Sequence, residues 1–323
     1  MRVSTRTMFE DCYGAYAIAA VNVFNMEQVL ALFQAAEEAD APFIVQATPY
    51  ARNFAGPPML AAMIGAAAEL FPDAVYAFHL DHGDESHCRD AIPTGDYASV
   101  MIDASHDPFD DNVRRTRAVV ELAHAHGVAV EAELGVLSGV EDGISVEERL
   151  VRYTDPAQCE AFVNQTGCDS LAVAVGTSHG AYKFSGGNGL QFDILEAIGQ
   201  RLPGFPLVLH GASTVNESEI DRINGAGGRL LPGARGVSPD ELIRAIERGV
   251  CKVNIATDTR LLWARTYREF FRDQPDQIDL VLPAKQYIDE YVVMMKQKFE
   301  LLGASHRAFG VRKKHDASLP SAS

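Results

Sequence analysis

The 323-residue chain is short of what several function classes require. Its five cysteines (Cys12, Cys88, Cys159, Cys168, Cys251) form no C-x-x-C pair. An odd, scattered set of this kind excludes a disulfide framework and predicts reduced, buried thiols. No apolar run approaches the roughly 18 residues that a membrane helix needs. The short apolar stretch near the start is preceded by Glu10 and Asp11 and followed by no clear small-residue cleavage site, so no signal peptide and a cytoplasmic location are expected. Basic residues are scarce: 28 Lys and Arg against 44 Asp and Glu give a formal charge of −16. Such a surface offers no basic face, so neither nucleic acid nor membrane is expected as a partner. An anionic small molecule stays compatible, because a metal or a ring of backbone N–H groups makes a local positive site. There is no solenoid-length repeat and no internal low-complexity linker. No G-x-G-x-x-G follows the first strand-like run, which weakens the case for a doubly wound open sheet.

What is there is an ordinary globular composition, 47% hydrophobic and 22% charged, and a slow rhythm. Short β-rich runs cover Tyr16–Val23, Phe43–Thr48, Val75–Leu80, Ser99–Asp103, Ala129–Leu134, Ser170–Val175, Leu207–His210 and Lys252–Ile255. Several are almost continuously apolar, as parallel strands buried on both faces must be. Helical patterns lie between them, at Met26–Ala39, Pro58–Leu70, Phe109–His126, Pro156–Thr166 and Pro239–Arg248, with Asn25 and Asp155 placed as N-caps. Eight strands alternating with helices predict an α/β fold, a (β/α)8 TIM barrel, with extra C-terminal helices after about residue 260. Residues 1–309 are read as one domain. Residues 310–323, basic and then Ser/Pro-rich, are read as a frayed tail.

In such a barrel the functional groups gather at the C-terminal ends of the strands. Six consecutive runs end in polar residues: Asp81 and His82; Asp103, Ser105 and His106; Glu133; His179 and Lys183; His210 and Ser213; Asn254 and Thr257. Burying so many polar groups without a purpose costs free energy. His82, His179 and His210 follow three different strands, and each is followed by glycine. Three imidazoles converging on a barrel mouth make an open site with a vacant fourth position, the catalytic arrangement of zinc. Neutral ligands leave the cation able to polarise a substrate oxygen. The other histidines carry structural readings: His124 and His126 end a helix, His87 lies on one, His306 and His315 are near the end, and His79 is an internal barrel position that packs or supports a ligand. His106 is open. Asp81 is either a support for the metal ligands or a general acid/base; adjacent strand residues point to opposite faces, so it and His82 share the site only if the strand ends there.

Gly180, Lys183, Gly211, Ala212, Ser213 and Asn254–Thr257 fall on or after the last three strands, where such barrels seat phosphate. Backbone N–H groups, a hydroxyl and one lysine can cradle a dianion. The Gly- and acid-rich connection 135–152 is longer than the roughly 12 residues of an ordinary loop. Its Glu141 and Asp142 could close over a metal as a base, although spacing alone favours a solvated acidic loop.

Taken together, HLDHG, SVMIDASH, EAELG followed by SGVED, VGTSHGAYK, LHGAS and KVNIAT resemble, in order and spacing, the class II metal-dependent ketose-bisphosphate aldolases. The resemblance covers nearly the whole chain. It implies a zinc-dependent aldehyde-lyase. His82, His179 and His210 would bind the zinc, with Asp103 and Glu133 near it as an alternative metal position. Asp81 would exchange the proton of the substrate C4 hydroxyl, Glu141 that at C3, and Asn254 would orient the enediolate. Gly180, Lys183, Gly211, Ser213 and Thr257 would bind the phosphate, a monovalent cation (Na⁺ or K⁺) would lie nearby, and Thr48 would line the substrate site. Lys183 would be a charge and no Schiff base is needed. The partners implied are a sugar phosphate and a second or further copies of the chain, as a homodimer or homotetramer.

The chain departs from the commonest family pattern at Thr48, Ala104, Ala212, Thr214 and Ala256, the last standing where fructose-bisphosphate members carry an acid. Fructose 1,6-bisphosphate is the favoured substrate, with tagatose-bisphosphate and deoxy-keto-gluconate-phosphate aldolases as alternatives. Arg52, Arg260 and Arg307 are the candidates for a second phosphate. A metal-dependent hydrolase or isomerase would place an H-x-H pair at an early strand end; the H-x-H here, His124 and His126, sits at a helix end. A non-catalytic barrel subunit would have lost a ligand or an acid/base residue, and none is missing.

Overall fold

Runs of β-branched and small apolar residues, bounded by polar turns, form the strands of this chain. A computed structural model describes residues 1–141, 144–146, 151–180, 189–231 and 236–318. The strands are β1 (Ile18–Asn22), β2 (Phe43–Ala47), β3 (Tyr76–Gly83), β4 (Ser99–Ile102), β5 (Ala129–Leu134), β6 (Ser138–Glu141), β7 (Ile144–Val146), β8 (Ser170–Val173), β9 (Ser178–His179), β10 (Leu207–Leu209) and β11 (Val250–Ile255). Eight of them close a parallel barrel in the order β1-β11-β10-β8-β5-β4-β3-β2. This is the (β/α)8 barrel expected from the alternating pattern, and each predicted run overlaps one barrel strand, although β3 runs on past Leu80 and β11 begins ahead of Lys252.

The helices are α1 (Thr5–Cys12), α2 (Met26–Glu38), α3 (Pro49–Ala55), α4 (Pro57–Leu70), α5 (Glu85–Ala91), α6 (Phe109–Ala125), α7 (Pro156–Thr166), α8 (Phe192–Arg201), α9 (Glu217–Gly225), α10 (Pro239–Ile246), α11 (Thr257–Asp273), α12 (Val281–Leu301) and α13 (Ala308–Ser318). The caps are those the sequence indicates: Asn25 accepts from the Gln28 N–H and Asp155 from the Ala157 N–H, with Pro156 at the first helical position. Beyond the barrel, α12 buries Tyr287, Tyr291, Met295 and Phe299. Their four-residue spacing makes one apolar stripe, and it packs on α2. The stretch expected to be a frayed tail is helical through Ser318 instead. α13 buries Ala308 and Val311, and the Lys314 ammonium donates to the Glu10 carbonyl, so the helix is docked on α1. All five cysteines are buried and unpaired. Among the described residues, no helix is long and apolar enough to cross a membrane.

The barrel interior is unusual for the fold, whose layers are commonly filled by branched aliphatic side chains. Asn22, Gln46, His79, Ser99, Glu131 and Lys252 are all buried here. They meet in pairs across neighbouring or facing strands, and burial is tolerable because each finds a hydrogen-bonding partner.

Candidate active site

Asp81 and His82 are adjacent in sequence, yet both reach the barrel mouth. The strand does not stop between them; β3 runs on to Gly83. The pairing of β3 with β4 slips between Leu80 and Gly83, and His82 takes a φ of +48°. That left-handed residue breaks the alternation of the strand and turns its side chain onto the same side as Asp81. For a non-glycine residue the conformation is strained, a feature that accumulates at functional sites.

The Asp81 carboxylate is buried and held from both sides. The Asn22 side-chain N–H donates to one oxygen at 2.9 Å, and that of Asn254 to the other at 3.1 Å. Asn22 is fixed in turn by Gln46, 2.9 Å from its carbonyl oxygen. Burial alone would raise the Asp81 carboxyl, but the charges of His82, Lys252 and His210 and the Asn22 hydrogen bond outweigh it and hold it below its ordinary value. Asp81 is therefore held as an ionised carboxylate.

His82 and His210 lie edge to face, with ring centres 4.6 Å apart. His82 Nε2 and His210 Nδ1 face each other at 2.9 Å. The far nitrogen of each ring touches a carboxylate: His82 Nδ1 lies 2.9 Å from Asp103, and His210 Nε2 lies 2.9 Å from Glu131. A carboxylate accepts, so the N–H of each ring points outward and the two facing nitrogens present lone pairs. Two lone pairs at that distance repel unless a proton or a metal cation lies between them. The His82 imidazole shows the same demand: burial lowers it, but Asp81, Asp103 and Glu133 outweigh burial and raise it to about 10. Asp103 is held low against burial by His82 and by the Ser105 hydroxyl and N–H. Glu133 is raised, first by burial and then by the charge of Asp103, and its Oε2 is buried with no hydrogen-bond partner among the described residues. Asp81, His82 and His210 bring ligand atoms within 4.8 Å of one another, and so do His82, Asp103 and Glu133. Imidazoles oriented by carboxylates are the usual setting of zinc, so these residues fit a metal.

His179 is placed by its backbone on β9, which pairs in parallel with β6, Gly139 opposite His179. The segment expected to be a loop is in part a hairpin: β6 pairs antiparallel with β7, and Glu141 lies at its tip, opposite Ile144. The backbone thus joins the strand of Glu141 to that of His179. Gly211 makes this arrangement fit. Its φ is +60°, and a Cβ there would come within 2.5 Å of the Ser178 carbonyl oxygen.

The expected phosphate residues fall on neighbouring strand ends. Gly180 follows β9 with a φ of +86°. Ser213 is buried, and its hydroxyl accepts from the Ala256 N–H at 3.4 Å. Thr257 opens α11, whose N-terminal N–H groups and dipole favour an anion. Lys183 lies outside the described residues. Thr48 is buried and caps α3, its hydroxyl accepting from the Ala51 N–H at 3.4 Å. Of the candidate arginines, Arg52 is bound to Asp90, and Arg307 stacks on Tyr16 ahead of β1, at the opposite end of the barrel. Arg260 sits in the first turn of α11, at the mouth, with its guanidinium over Phe24. His106 is exposed, and His124 is paired with Asp169. Sequence reasoning missed Asn22, Gln46, Glu131 and Lys252. Gln46, Glu131 and Lys252 sit within strands rather than at their ends, and Asn22 closes β1 in an otherwise apolar run.

Residues 3–307 match the family model for class-II fructose-bisphosphate aldolase. The fructose-bisphosphate aldolase of Giardia intestinalis is 40% identical over 294 residues, 89% of each chain. That of Thermus caldophilus is 40% identical over 299 residues, 91% of this chain and 95% of its own. The YdjI aldolase of Escherichia coli K12 superposes with a TM-score of 0.76 at 29% identity, covering 95% of this chain and all of its own. With the barrel, the paired imidazoles and the gripped carboxylate in place, this chain belongs to the class-II fructose-bisphosphate aldolase family.

Proposed function

We propose that the chain catalyses the reversible cleavage of fructose 1,6-bisphosphate to dihydroxyacetone phosphate and glyceraldehyde 3-phosphate. The observation that carries this reading is the ionised Asp81 carboxylate, held by two amide N–H groups, beside two imidazole nitrogens that share a demand for a cation. In cleavage, Asp81 accepts the C4 hydroxyl proton as the C3–C4 bond breaks. The bond electrons pass to the dihydroxyacetone phosphate half and its C2 oxygen. A zinc ion held by His82, His179 and His210, with Asp103 and Glu133 beside it, would supply Lewis-acid charge for that oxygen. Asn254 has a buried Oδ1 without a hydrogen-bond partner among the described residues, and this acceptor is available to a hydroxyl of the enediolate. Glu141 returns a proton to C3. Gly180, Lys183, Gly211, Ser213 and Thr257 hold the phosphate of the retained half, with a sodium or potassium ion nearby.

A second phosphate is assigned to Arg260, at the mouth, since Arg52 is paired with Asp90 and Arg307 lies at the opposite end of the barrel. Comparing fructose 1,6-bisphosphate, tagatose 1,6-bisphosphate and a C6-unphosphorylated analogue tests the substrate. Arg260→Ala is expected to raise KM for the bisphosphate about tenfold, as loss of a charge-assisted contact should, and to leave KM for the analogue unchanged. Equal effects on both would remove Arg260 from the phosphate site. Faster cleavage of the tagatose ester would move the chain to that branch. Trp263, Phe271, Ile278, Leu280 and Val293, exposed on or between α11 and α12, support assembly as a homodimer or homotetramer. The buried free thiols fit a cytoplasmic setting.

A further inference from the structure

A line of buried polar groups runs from the middle of the barrel to His210, and the proposed reaction uses none of them directly. Lys252 is fully buried. Its Nζ lies 2.7 Å from Glu131 Oε2 and 3.2 Å from His79 Nε2. His79 Nδ1 is 2.7 Å from the Ser99 hydroxyl, and the other Glu131 oxygen is 2.9 Å from His210 Nε2. The proton positions follow in order. An ammonium only donates, so Glu131 and His79 Nε2 accept from it. His79 then carries its proton on Nδ1 and gives it to Ser99. Glu131 accepts from His210 Nε2–H, which leaves the lone pair of His210 on Nδ1, the nitrogen that faces His82.

We propose that Glu131 and Lys252 are positioning residues that preset His210 in its metal-binding tautomer and so set the zinc affinity of the chain. This rests on the reading of His82 and His210 as zinc ligands. Glu131 acts on His210 through one hydrogen bond. Lys252 acts through Glu131: its ammonium, on the other carboxylate oxygen, offsets the cost of burying that charge, a partner that a neutral amide in the same place does not need.

Two double variants separate this from a packing role. Glu131→Leu with Lys252→Met removes both charges and every acceptor at near-constant volume, a replacement that buried ion pairs commonly survive. Glu131→Gln with Lys252→Met also removes both charges but keeps a carbonyl oxygen for His210. Zinc affinity is read by competition with a chromophoric chelator, and the tautomer from ¹⁵N shifts of the histidine rings in zinc-free protein. The leucine pair is expected to bind zinc about 10–100-fold more weakly than wild type, the range for losing a group that orients a ligand. The glutamine pair is expected to stay within about threefold of wild type, since it keeps the same orienting hydrogen bond. Equal affinities in the two pairs, whether both intact or both reduced, would overturn the proposal. So would a wild-type His210 protonated on Nδ1, a result that needs no variant to fold. A wild-type chain that binds no zinc would instead overturn the zinc reading itself.

Discussion

Asp81→Ala lowers kcat for cleavage by about 10²–10⁴-fold, the range for losing a positioned acid/base group, and leaves the zinc content unchanged. The carboxylate lies beside the facing imidazoles and is kept below its ordinary value against burial. Its two oxygens already accept from the Asn22 and Asn254 amides, which supports the proposed proton transfer over ligation as its role. Asparagine would not be a gentler replacement. Its NH₂ would face an amide N–H on whichever side it turned. Turnover of the variant with metal analysis on the same sample checks both halves of the expectation. Loss of zinc together with activity would reassign Asp81 as a metal ligand.

His210→Ala is expected to lose the zinc altogether and with it about 10³-fold or more in kcat/KM, since a Lewis acid supplies several kcal/mol at a developing oxyanion. The substitution removes a ligand nitrogen and also leaves Glu131 without the N–H it accepts. Excess zinc should therefore fail to restore activity. Metal content by emission spectroscopy and the rate before and after zinc addition give the answer. A variant that keeps one zinc per chain would show that His210 is not a ligand.

Much of this was legible in the sequence because a parallel barrel writes itself plainly. Strands buried on both faces are continuous apolar runs, and the polar residues that end them are conspicuous. His82, His210, Asp81, Asp103 and Glu133 were found in that way. The interior network was not, although a signal existed. Glu131 and Glu133 are two apart on β5, as are Lys252 and Asn254 on β11. That spacing puts each pair on one face of its strand, so the inner residue of each pair lines the same barrel as the outer one. Attention to strand ends alone passes over it. The slip in β3 was hidden for a different reason. A left-handed histidine has no local signature, and the approach of Asp81 to His82 depends on how β4 accepts the slip. The partnering of β6 with β9 joins segments far apart in the chain, and no local pattern announces it. The docked α13 shows the converse: a basic, polar composition suggests fraying, but two small apolar contacts and a lysine cap hold the helix in place.

The most direct test is the release of dihydroxyacetone phosphate from fructose 1,6-bisphosphate, followed in a coupled assay with EDTA and then with zinc added back. The account predicts cleavage that EDTA abolishes and zinc restores. Cleavage that persists in EDTA would contradict it, and so would a zinc-loaded chain that releases no dihydroxyacetone phosphate.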